Sequence, residues 1–195
     1  MNPLHRIPRS VRIGSVIIAT GLALGACGSS SPSGSPTSSS TAPGGGSSQV
    51  LPVKTNPITN TSTAQALKID SVLVENNVDP ATGKTGSDHL EIALKNTGAT
   101  TLSKFEIFYT FTDRTTKASE SYDAKLPSSF TIAPGKTRVA HFDDTGLTDH
   151  FPVNKFSLYA TSKNALDVKV IVSADGAAVR TATIKKDKGG PEQAD

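Results

Sequence analysis

Two imidazoles and three carboxylates fall within one short segment, His141-Phe142-Asp143-Asp144-Thr145-Gly146-Leu147-Thr148-Asp149-His150. Imidazole with carboxylate suits zinc, and carboxylates alone suit calcium. A cation held here would make the chain a metal-binding protein or a small metal-dependent hydrolase. The spacing follows no established ligand pattern, and Asp-Asp-Thr-Gly is equally ordinary turn composition. The expectation is therefore no metal site, with His141, Asp143, Asp144, Asp149 and His150 as its weak candidates. Other reactive types are sparse. There is no G-x-S-x-G elbow for a serine nucleophile, and no H-E-x-x-H or paired-cysteine motif. Gly83-Lys84-Thr85 lacks the upstream glycine of a phosphate loop, and no helical pattern follows it. The chain reads as non-enzymatic, with no catalytic residue and no cofactor.

The remaining reactive side chain is Cys27, the single cysteine. Ahead of it, Arg6, Arg9 and Arg12 form a basic start without an acid, followed by the apolar run 13–26. That run is too short to cross a bilayer, which takes ~20 apolar residues. It has the form of a secretory leader ending in small residues. Leu24-Gly25-Ala26-Cys27 resembles the bacterial lipobox. The resemblance implies cleavage before Cys27 and a diacylglyceryl thioether on its sulfur. Two or more acyl chains give stable anchoring where one gives reversible binding, at ~0.8 kcal/mol per buried CH₂. The chain would then sit at the cell membrane, lipid-anchored on the extracytoplasmic face, with the membrane as its first partner. An acylated Cys27 leaves no thiol catalyst and no intramolecular disulfide. The only methionine, Met1, would depart with the leader, which removes thioether copper sites as well.

Loss of the leader also removes three arginines, taking the chain from 20 basic and 17 acidic residues to 17 of each. A neutral mature protein gives no footprint for nucleic acid. Residues 28–49 are Ser, Gly, Pro and Thr with almost nothing apolar, too little to offset ordering entropy. Residues 27–64 are thus expected to be a lipidated, disordered tether, irregular through Pro52 and Pro57. As a coil the 28–49 stretch spans roughly 25 Å, and fully stretched roughly 75 Å. Its Ser/Thr/Pro content also permits O-glycosylation, with a bare spacer as the simpler reading.

Residues 65–186 carry short strand patterns and no long helical period. In Ala66–Asn76 the apolar residues change face between Ile69 and Val72, as at a bulge. Leu90, Ile92 and Leu94 alternate with polar neighbours. Phe105, Ile107, Tyr109 and Phe111 line one face of a strand whose Phe108 predicts cover on both sides. Ala118–Tyr122 reads as a short polar strand. Ala133-Pro134-Gly135-Lys136 predicts a type II turn between Phe130–Ile132 and a partner strand Arg138–Phe142. Lys155–Ser162 is expected as a strand with Phe156, Leu158 and Ala160 on one face. Leu166, Val168, Val170 and Val172 alternate cleanly, and Asp175-Gly176 predicts a hairpin into Ala178–Lys186. Residues 187–195 form a polar tail.

Eight or nine strands at this spacing predict an all-β chain: a single antiparallel, immunoglobulin-like β-sandwich, with a barrel as the alternative closure. Without tryptophan its core rests on Val, Ile, Leu and Phe. Leu94–Gly98 (LKNTG), Phe111–Asp113, Ile132–Thr137 (IAPGKT), Phe142 and Phe156–Tyr159 (FSLY) resemble the immunoglobulin-like domains of Gram-positive extracellular lipoproteins. The resemblance implies a fold and an extracytoplasmic binding or scaffolding role, and no catalytic residues. The loops 79–89, with His89 at its end, and 143–154 are the expected contacts with a protein or cell-envelope partner.

Overall fold

The described residues form nine strands and one helical turn, with apolar alternation at period two clearest at 90–94, 107–111 and 166–172. The computed structural model describes residues 49–76, 82–84, 90–143 and 145–189. The leader with Leu24, Gly25, Ala26 and Cys27, most of the tether, His89, Asp144 and residues 190–195 lie outside the described residues. The strands are β1 (Gln49–Val53), β2 (Leu67–Leu73), β3 (Leu90–Asn96), β4 (Glu106–Asp113), β5 (Ser119–Lys125), β6 (Thr137–Phe142), β7 (His150–Phe151), β8 (Leu166–Ala174) and β9 (Ala177–Lys186). They form a five-stranded sheet in the order β1-β5-β4-β8-β9 and a four-stranded sheet in the order β2-β3-β6-β7. All pairings are antiparallel except β6 with β7. The chain is all-β, in two sheets that pack face to face.

The core lies between the sheets. From β4 come Ile107, Tyr109 and Phe111, from β8 Val168, Val170 and Val172, and from the opposite sheet Ile92, Leu94, Ala140 and Phe142, all buried. Tyr109 is the central ring. Its centroid lies 5.1 Å from Phe142 across the sheets, 5.5 Å from Phe111 and 5.4 Å from Tyr122. Edge and offset geometries of this kind add to the burial of area. β4 is central, and Phe108 is buried on the outer face. The bulge expected near Ile69 is a register shift between Ile69 and Ser71. The Asp175-Gly176 hairpin forms, and the Ala133–Lys136 turn closes with Lys136 N–H donating to Ala133 O at 3.1 Å. Gly135 has φ of 71° there, as position i+2 of a type II turn requires.

The structure corrects the sequence reading at four places. The folded unit includes the stretch from Gln49 rather than beginning at residue 65, because β1 pairs with β5 over five residues. Pro52 is tolerated since an edge strand needs no donor on its open side. The irregular stretch that follows is pinned by one side chain: Asn60 Nδ2 donates to Ala174 O at 3.0 Å and Ala177 O at 2.9 Å. Phe130–Ile132 does not pair with β6. Ile132 bridges to Leu102, and β6 joins β3 instead. The polar strand is longer than expected and continues to Lys125. Lys155–Ser162 is not a strand either. Leu158–Thr161 is a helical turn, α1, whose N-cap Ser157 accepts from Ala160 N–H. Tyr159 anchors it in the core, which leaves Phe156 exposed.

The outer face of the five-stranded sheet holds one misfit. Asp123 sits in register between Leu51 and Phe108 and is only 6% exposed. Burial, aided by the Glu106 carboxylate and opposed by Lys125, pushes its pKa up to about 6. An unfolded aspartate titrates at ~3.9. The native state therefore binds more protons than the unfolded one between those values, and stability falls as pH rises through that window. Asp123→Asn is expected to stabilise the domain at pH 7 by about 1 kcal/mol once solvent screening is allowed for. The gain should vanish near pH 4. Urea midpoints of both proteins across this range check it, and a pH-independent difference would refute it.

Candidate functional site

The parallel pair β6/β7 builds the polar corner singled out by the sequence. Its register sets Phe142 beside Phe151 and His141 beside His150. Side chains alternate along a strand. The two phenylalanines therefore turn into the core, 5.7 Å apart, and the two imidazoles stack on the other face at 4.5 Å and 8°. His141 N–H donates to Asp149 O and Asp143 N–H to Phe151 O, both at 2.9 Å. The connecting loop turns through Gly146 and Asp149, at φ of 71° and 66°.

Asp143 is buried, and its oxygens are used within the corner. Oδ1 accepts from Thr145 N–H and Thr145 Oγ1, both at 2.9 Å. Oδ2 lies 2.5 Å from His150 Nδ1. This is the geometry of a carboxylate orienting an imidazole. The hydroxyl here, Thr145 Oγ1, is given to Asp143, so it does not supply a nucleophile activated by His150. Asp149 turns away from the histidines. Its two oxygens accept from Arg138 Nε and Nη2 at 2.7 Å each. Arg138 also donates to Ser129 O and Thr131 O, and its guanidinium lies 4.4 Å from the Phe130 ring centroid.

Of the five candidate ligands, His141, Asp143 and His150 are brought together, Asp149 is drawn off by Arg138, and Asp144 is outside the described residues. Among the described residues no three His, Cys, Asp or Glu side chains are placed to hold a metal ion. Two participants were missed in the sequence. Arg138 comes from two positions inside β6, and Glu91 reaches to 3.9 Å from His141 Nδ1 because β3 pairs with β6. Neither has a local motif. The β3–β6 register brings Glu91 in, and the return of the 145–149 loop brings Asp149 to Arg138.

The depression at this corner is about 150 Å³, lined by Asp143, Gly146, His150, Phe151 and Pro152. Pockets for organic ligands run from ~300 to 1,000 Å³, so this one suits no substrate of that size. A wider opening of about 390 Å³ lies where β2 and β9 meet, and Arg180 spans it by donating from Nε to Leu67 O at 2.6 Å. A third, about 290 Å³, is a trough on the outer face of the five-stranded sheet. Exposed large apolar side chains among the described residues are Leu51, Leu147 and Phe156, at 44%, 64% and 86%. Leu147 lies between His141 and His150 in sequence, and Phe156 follows His150 by six residues.

Compared with known proteins, the chain matches no family model and no curated protein.

Proposed function

We propose that this chain is a lipid-anchored, extracytoplasmic binding or scaffolding lipoprotein whose folded part is an immunoglobulin-like β-sandwich. The winding supports that fold. The chain crosses from β3 to β4, returns at β6, crosses again to β8 and closes in the β8–β9 hairpin. In this reading β2, β3 and β6 stand for strands A, B and E, and β4, β8 and β9 for C, F and G. β5, beside β4, takes the place of C′, and β1 and the parallel β7 are additions at the sheet edges.

One observation carries the binding role. The segment 143–157 is fastened along its length, by Asp143 to His150, Asp149 to Arg138, Asn154 to Tyr122 Oη at 2.9 Å and the Ser157 cap. It nonetheless presents Leu147 and Phe156 to solvent. Rigid loops bearing exposed apolar anchors are how recognition surfaces are built. The acid and imidazole groups here serve to hold that segment in shape.

Two measurements test this. Cys27→Ser should abolish palmitate incorporation and release the protein from the membrane fraction, and unchanged labelling would refute the anchor. Leu147→Ala with Phe156→Ala should leave stability within ~0.5 kcal/mol, as surface changes do. The same variant should lose most of the crosslinked adduct seen on intact cells. An undiminished adduct would refute the role of this segment.

A further inference from the structure

We propose that the trough on the outer face of the five-stranded sheet is a binding site for an acidic polysaccharide. This inference rests on the extracytoplasmic reading above, because it names the chemistry of a partner at the cell envelope. The trough runs over β4, β8 and β9; its polar lining is Thr110, Thr112, Asp167, Lys169, Thr183 and Lys185, over a floor to which Val168 and Ile184 contribute. Register explains the lining. Lys185 faces Asp167, which faces Thr112, and one row along, Thr183 faces Lys169, which faces Thr110. The two rows lie about 7 Å apart, two residues along each strand.

Each row continues in hydroxyls. Thr110 Oγ1 lies 2.8 Å from Ser121 Oγ, and Thr112 Oγ1 lies 3.1 Å from Ser119 Oγ. A hydroxyl both donates and accepts. A comb of hydroxyls therefore complements the hydroxyls of a sugar chain, and the lysines between them select one that carries negative charge. Arg114 reaches Asp167 at 3.7 Å and closes the trough at its end.

Charge beyond the trough has the same sign. β4 ends beside the start of β8 and the end of β9. Arg114, Lys117, Lys163 and Lys188 are exposed on the segments that leave the strands there. With Lys169 and Lys185 this makes six cations. The carboxylates exposed or half-exposed at the same end are Asp167, Asp187 and Glu120, and Glu120 is engaged by Leu158 N–H. Half as many acids as bases leave a positive field over the trough, although the mature chain as a whole is neutral. None of the exposed large apolar residues lines the trough. That argues for a hydrated polymer and against a bilayer, which takes an apolar wedge.

The test uses the protein as isolated from cells in non-ionic detergent, titrated with polygalacturonate at low and high salt by calorimetry. Dextran and phosphatidylglycerol vesicles serve as comparison probes. Polygalacturonate should bind, with affinity falling as salt rises, and dextran should not. Two exposed ion contacts at up to ~1 kcal/mol each make Lys169→Glu with Lys185→Glu weaken binding about tenfold or more. Thr183→Val should weaken it by about twofold to fivefold, the size of one surface hydrogen bond. Melting curves of the variants should match the wild type, since all three side chains are exposed. Absence of binding, binding that survives the double lysine change, or binding to vesicles in preference to polygalacturonate would each overturn the site. Failure of palmitate labelling would remove the anchor and leave this titration intact, so the two readings fail separately.

Discussion

Asn96→Ala is expected to cost the domain about 3 kcal/mol, more than any exposed substitution. Asn96 is the last residue of β3 and is fully buried. Its Nδ2 donates to Thr100 O and Ile132 O at 2.7 Å each, and its Oδ1 accepts from Gly98 N–H at 2.8 Å. Alanine leaves the Thr100 carbonyl and the Gly98 amide without their partner, and leaves Ile132 O with Leu102 N–H alone. Each buried orphan costs ~1–3 kcal/mol, and the half-buried Gly98 end can recover part of it from water. The backbone of Asn96 compounds the effect, because its N–H donates to Lys136 O and its O accepts from Gly135 N–H, both at 2.9 Å. A loosened Asn96 thus unfastens the Pro134-Gly135 turn as well. Gly98 packs closely at this junction, where a Cβ would stand 2.7 Å from Ala66 Cβ. Urea unfolding should show a lower midpoint at unchanged slope. Lys95→Ala, one residue away on the open face, should change stability by less than ~0.5 kcal/mol. A loss below 1 kcal/mol for Asn96→Ala would show that the junction is not a fastening point.

That junction explains what was legible in the sequence. LKNTG and IAPGKT looked like separate motifs, a strand end and a turn, yet they meet at Asn96 and work as one structural clasp. Period-two alternation located β3, β4 and β8 because each buries a face in a shared core, which composition along a single strand records, and the Asp175-Gly176 turn located β9. The same logic failed at 155–162. Phe156, Leu158 and Ala160 alternate, but Ser157 caps a helical turn and Tyr159, between them, is the residue that goes inward. β1 was invisible for a different reason. Its contribution is backbone pairing at a sheet edge, and the stretch after it is held by Asn60, a side chain whose partners are more than a hundred residues away. At the polar corner, the local sequence singled out two histidines and three acids, of which His141, Asp143 and His150 come together. Their partners depended on contacts that local sequence does not record: the β3–β6 register sets Glu91 beside His141, and the return of the 145–149 loop brings Asp149 to Arg138.

Arg138→Ala should be nearly as damaging, at about 2–3 kcal/mol, and it separates a structural corner from a chemical one. The side chain gives up a bidentate pair with Asp149, two bonds to the carbonyls of Ser129 and Thr131, and its place over Phe130. Both partners of the pair are about three-quarters covered, which limits screening and makes the charge-assisted bonds worth more than an exposed pair. Arg138→Lys keeps the charge without the planar fork, so it should restore less than half of the loss. A double-mutant cycle with Asp149→Asn should give a coupling of about 1–2 kcal/mol, because the two side chains meet directly. Asparagine at 149 also tolerates the left-handed backbone that Asp149 adopts at φ of 66°, so the cycle reads the ion pair rather than the turn. The functional consequence follows from position. Asp149 precedes His150 and ends the turn that carries Leu147, so releasing it loosens the loop while both apolar anchors remain. If 143–157 works as a rigid recognition segment, Arg138→Lys should lower the crosslinked adduct on intact cells even though Leu147 and Phe156 are unchanged. Stability within 0.5 kcal/mol of wild type in Arg138→Ala, or full adduct in Arg138→Lys alongside a measurable stability loss, would show that the clasp does not set the shape of that surface.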